Sequence, residues 1–136
     1  MLTRLDDWQV RLNSVLKDWR KRPFAWGSSD CVVFAGEVCR AVRGDNPLDR
    51  AGAVYADDEG ALLALDAAGH PTLLAALRAR LGKPVRPALA QPGDLVFFDG
   101  GSGGGLGVVN GAMIWGVGDA GLERLDPAAA SLAWRL

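Results

Sequence analysis

Residues 22–36 read RPFAWGSSDCVVFAG, and the fold turns on where this stretch changes from loop to helix. Ser28, Ser29 and Asp30 are all residue types whose side chains accept hydrogen bonds from the open N–H groups at a helix start. The run that follows, CVVFAGEVCRAVRG, is mostly apolar and stops at Gly44, a residue suited to the left-handed turn that ends helices. The stretch therefore predicts a deeply buried helix beginning at Cys31.

Toward the N-terminus, Leu5, Trp8, Leu12, Val15, Leu16 and Trp19 recur every three or four residues, the stripe of an amphipathic helix. Lys17, Arg20, Lys21 and Arg22 fall in its expected last turn, where cations suit the helix dipole, and Pro23 stops it. In the other direction a third helical region is expected over about residues 57–68. A fourth follows Pro71 through TLLAALRARLG, with Pro71 early in the helix and Gly82 as its end signal.

Beyond Pro84 the pattern changes to strands. GDLVFF (93–98) is β-rich, and LGVV and AMIW are two short apolar runs joined by Asn110-Gly111, a strong hairpin signal. A further turn at GDAG (118–121) leads into LERL, and SLAWRL (131–136) is placed to close the set. Asp94 is expected to cap the turn into the first strand with its carboxylate. The glycine-rich run GGSGGG (100–105) lacks the Lys-Ser/Thr pair of a phosphate loop and precedes a strand, so it reads as a flexible connection. Helices over about 1–82 and an antiparallel meander or partial barrel over about 93–136 give one α+β domain across residues 1–136.

Composition fits that picture. The 136 residues are 49% apolar and 23% charged, and 15 basic against 16 acidic side chains leave a formal charge of −1. This balance gives no general drive toward nucleic acid or an anionic membrane. The first residues, MLTRLDDWQV, mix charged and apolar side chains, unlike a signal peptide, and no run approaches the ~18 apolar residues of a membrane span. A protein made in the cytoplasm and kept or assembled there is expected.

Cys31 and Cys39 on one helix are separated by a rise of roughly 12 Å, too far for a disulfide. The single histidine, His70, sits in DAAGHPT between helical segments, so no metal or other cofactor is expected. Trp26 and Gly27 read as an aromatic over the helix start and a glycine permitting the turn, with a cleft-lining role as the functional alternative. Trp115 and Trp134 read as core or interface residues.

The order of helices, then meander, with a cysteine at the start of a buried helix, resembles the NlpC/P60 family of papain-like cysteine peptidases. FAWGSSDC (24–31) is similar to that family's approach to its nucleophile, and QPGDLVFF (91–98) to its first strand. The resemblance implies a papain-like fold, Cys31 as the nucleophile position, and Trp26, Gly27 and Asp30 lining the cleft. A helix N-terminus suits that chemistry, because partial positive charge there favours the thiolate.

In active members of the family a histidine at the start of the next strand serves as base. The aligned segment here is LGVVNG (106–111), with Leu106 where the histidine belongs, and Val32-Val33 replace a Ser-Gly that follows the cysteine. An unassisted thiol is only a few per cent thiolate at neutral pH, and no acid protonates the leaving amine. The resemblance therefore implies a degenerate member, a structural component of a siphophage or prophage tail tip. Its partners would be the tail hub, distal tail or fibre proteins, and its location the virion tail. The alternative is an active cysteine endopeptidase or amidase acting on peptidoglycan stem peptides, with Cys31 as nucleophile and a base from elsewhere.

Overall fold

The computed structural model of the chain describes residues 3–26, 28–48, 72–99 and 105–136. Among these, three helices precede a five-stranded antiparallel sheet, the α+β arrangement that the periodicities predict. Gly27, the helical region expected over 57–68, His70 and most of the glycine-rich run lie outside the described residues. No helix among the described residues is long and apolar enough to cross a membrane.

Helix α1 spans Trp8–Trp19 and buries Leu12 and Trp19. The apolar stripe starts earlier, but the Leu5 N–H donates to the Val42 carbonyl at 2.8 Å, and this tertiary bond holds residue 5 ahead of the helix. The basic run also falls differently from expectation, since only Lys17 stands in the last turn. Arg20 serves a tertiary contact instead, its carbonyl accepting from Leu122 N–H at 3.2 Å, and the Arg22 guanidinium folds back locally to lie 4.3 Å from the Trp19 ring centroid.

Helix α2 spans Cys31–Arg43 and is the centre of the core, burying Phe34, Ala35, Gly36, Val38, Cys39, Ala41 and Val42. Asp30 caps its start and Gly44, at φ 90°, ends it. Helix α3 spans Leu73–Leu81. Its cap is Thr72, whose Oγ1 accepts from Ala75 N–H at 3.1 Å, and the expected role of Pro71 lies outside the described residues.

The strands are β1 Leu95–Phe98, β2 Gly105–Asn110, β3 Met113–Gly118, β4 Gly121–Leu125 and β5 Leu132–Trp134. Their order in the sheet is β4-β3-β2-β1-β5. Asn110 pairs with Met113, so the hairpin turn is Gly111-Ala112, one residue later than the sequence signal placed it. Gly111 has φ 63° and no non-glycine residue among the described ones has positive φ, the pattern of a turn that needs glycine only at its first central position.

The last strand does not close a barrel. β5 pairs with β1, through Leu95↔Trp134 and Phe97↔Leu132, and leaves an open sheet with β4 and β5 at opposite edges. The reason lies in Trp134, which is buried edge-on to Phe97 at 6.4 Å between centroids and donates from Nε1 to the Gly82 carbonyl at 3.0 Å. The outer side of β4 is already engaged by the end of α1 through Leu122 and Arg20.

Strand alternation sorts the sheet into two faces. Leu95, Phe97, Leu106, Val108 and Trp134 join Leu12, Trp19, Phe34, Val38 and Val42 in the main core. Val96, Ile114 and Ala133 face away, where Val85, Ala90 and Ala130 partly cover them. α2 lies across β2 and β3, which brings the Cys31 helix onto the Leu106 face.

Candidate functional site

The approach to Cys31 is fixed by local hydrogen bonds. Phe24 N–H donates to the Gly118 carbonyl at 3.0 Å, pinning the loop to the end of β3. Ser29 donates twice, from N–H to Ala25 O at 2.9 Å and from Oγ to Pro23 O at 2.7 Å. Phe24 and half-buried Trp26 meet edge to face at 4.8 Å. The two rings form a packed aromatic corner ahead of α2.

Cys31 is the first residue of α2 and is half-buried against the main core. Asp30, only 2% exposed, directs Oδ1 at Val32 N–H (3.0 Å) and Val33 N–H (2.9 Å). Those are two of the donors that a helix start offers to an anion. A carboxylate already takes them.

Leu106 is the second residue of β2, pairs with Phe97 on β1, and is 2% exposed. Its side chain lies on the helix-facing side of the sheet, in the same apolar cluster that Cys31 packs against. The chain's single histidine is outside the described residues, so the described part of this cluster contains no imidazole. Cys31, Trp26 and Asp30 are thus brought together at one corner, and Leu106 contributes packing to the core beneath.

The family comparison covers nearly the whole chain: the model of the family described as Domain of unknown function (DUF6950) matches residues 3–136. The chain belongs to the DUF6950 family. Among curated proteins and solved structures, none matches it.

Two polar constellations of this DUF6950 chain went unread in the sequence. Asp94, fully buried, has Oδ1 accepting from Arg4 Nη2 at 2.8 Å and from Leu136 N–H at 3.0 Å, and Oδ2 accepting from Gln91 N–H at 2.9 Å. Arg4 also donates from Nη1 to Pro92 O at 2.7 Å and stacks over Trp8 at 4.3 Å. Asp94 does cap its turn, as expected, and in addition ties both ends of the described chain to β1. Gly93, at φ 91°, leaves room for this, because a Cβ there would lie 2.9 Å from both Arg4 and Trp8.

The second constellation is Trp19 Nε1 donating to Glu37 Oε2. A lone acid in the apolar run CVVFAGEVC was the available signal, since a carboxylate on a buried helix requires a donor. Asp94 gave no such signal, because its partner lies 90 residues away.

Chemically, the corner offers the DUF6950 domain one half-buried thiol next to the Asp30 carboxylate. The other thiol, Cys39, is deep in the core, where burial pushes it up from 9.0 to about 12, against the opposing pull of Arg43. Cys39 is a packing residue.

Proposed function

We propose that this DUF6950 chain is a catalytically degenerate NlpC/P60-like domain with a papain-like fold. It acts as a structural component of a siphophage or prophage tail tip, assembled in the bacterial cytoplasm and docked on hub, distal tail or fibre proteins. The observation that carries the proposal is Leu106: at the strand position where the resemblance calls for a base, a buried aliphatic side chain fills the core. Cys31 at the first position of a buried helix laid across β2 supports the inherited geometry.

The test is peptide release from purified peptidoglycan by the full chain and by Cys31→Ala. The proposal expects neither to release stem peptides above a protein-free control. Release by the parent that disappears in Cys31→Ala, with folding unchanged, would replace it with the cysteine endopeptidase. One observation favours that second reading: Cys31, unlike Cys39, is only half-buried and stands at a helix N-terminus.

A further inference from the structure

From Arg78 to Arg86 the chain carries Arg78, Arg80, Lys83 and Arg86, and no acidic residue occurs between Asp66 and Asp94. All four cations are exposed, on the last turn of α3 and the segment that follows it. The ion pairs among the described residues join Arg4 and Arg135 to Asp94, Arg11 to Asp7 and Arg43 to Asp45, and use none of these four. In a chain of net charge −1 this is a local concentration of positive charge.

The strip is held in place. Val85 exchanges two hydrogen bonds with Ala133 of β5, at 2.7 and 2.9 Å, and the Gly82 carbonyl accepts from Trp134 Nε1 at 3.0 Å. A 3-10 turn over Pro87–Leu89 follows, and it presents Leu89 at 48% exposure. A rigid surface loses little entropy on binding.

We propose that residues 78–89 form a docking surface for an acidic protein segment, with Leu89 as the apolar anchor and Arg78, Lys83 and Arg86 pairing its carboxylates. Charge complementarity selects an anionic partner, and three of the four cations are arginines, whose planar fork matches a carboxylate. Two features favour protein over nucleic acid. The strip contains no aromatic side chain on which a base could stack. Its exposed leucine beside cations matches the apolar centre and polar rim of a protein interface. The inference is independent of whether Cys31 is catalytic.

The test is a titration of the isotope-labelled full chain with a short synthetic peptide of alternating Glu and Leu, followed by NMR. The expected result is shift changes concentrated in residues 78–89 and affinity at least about tenfold weaker in Arg78→Glu/Lys83→Glu/Arg86→Glu. Leu89→Ser should weaken binding separately, and reversal of exposed cations on α1, Arg11→Glu/Lys17→Glu, should leave it unchanged. If the charge reversal does not fold, the corresponding triple Gln variant gives the same readout. Absence of binding at millimolar peptide, shifts confined to other residues, or undiminished affinity in the triple variant would overturn the proposal. Tighter binding of a short oligodeoxythymidine to the same residues would also overturn it, in favour of nucleic acid.

Discussion

Arg4 Nη2 donates to Asp94 Oδ1 at 2.8 Å, joining the segment ahead of α1 to the start of β1 across 90 residues of sequence. Asp94 is fully buried and Arg4 is 23% exposed, so the two partners are not equivalent. Removing the carboxylate takes the anionic partner from Arg4 and leaves the Gln91 and Leu136 N–H groups without their acceptor. Asp94→Ala should therefore cost about 3 to 5 kcal/mol in urea unfolding. Asp94→Asn should recover part of that loss by keeping an acceptor, and Arg4→Ala should cost less than Asp94→Ala.

Two glycines with positive φ should respond very differently to alanine. A Cβ on Gly121, at φ 123°, would lie 2.2 Å from the Arg20 carbonyl oxygen. Gly121→Ala should push the β3–β4 turn off the end of α1, at a cost of about 3 kcal/mol or more. Gly111, at φ 63°, has nothing within 4 Å of its Cβ position, so Gly111→Ala should cost only the conformational penalty, about 1 to 2 kcal/mol. Thermal unfolding of the two variants side by side measures the difference.

What the sequence made legible follows the range of the forces involved. The start of α2 could be read because Asp30 and the apolar run behind it act within one helical turn, and the strands because short β-rich runs and the turn at Asn110-Gly111 are local signals. Misplaced details trace to tertiary contacts: Leu5 is drawn out of α1 by Val42, Arg20 is taken by Leu122, and β5 is drawn to β1 by the burial of Trp134. The candidate site divides in the same way. Cys31 at the helix start was legible, whereas the packing of Leu106 in the core beneath it became visible only in the fold. The Arg4–Asp94 junction was not legible, because no local pattern marks a partner that distant.

Cys39 should make the fold sensitive to alkali. Its thiol is raised from 9.0 to about 12 by burial, so the folded state holds a proton that the unfolded chain releases. That contribution is fully present below pH 9 and is lost as the pH rises through 12. Between those limits wild type should lose roughly 3 kcal/mol relative to Cys39→Ala, whose side chain does not ionise. Thiol labelling at pH 8 gives a second check: Cys31 should react in the folded chain and Cys39 only on unfolding.

Leu106→His tests whether β2 offers the position that the resemblance assigns to it. The substitution puts a polar ring into a core site that is 2% exposed, and should cost about 2 to 3 kcal/mol. If the proposed geometry holds, the new imidazole should also speed alkylation of Cys31 near pH 6, because a neighbouring imidazolium favours the thiolate. Unchanged alkylation in a folded variant would show that residue 106 does not address the thiol.

The central claim is that Cys31 marks an inherited nucleophile position while the protein acts by docking. The most direct measurement is complementation in the phage or prophage that the proposed function requires: deletion of the gene, then resupply of the parent or Cys31→Ala chain, scored by tail-tip assembly and infectivity. The account predicts that Cys31→Ala, which removes one sulfur atom from a half-buried position, restores both as fully as the parent. A Cys31→Ala chain that folds and is incorporated but leaves the particles non-infectious would contradict it and return the thiol to catalysis.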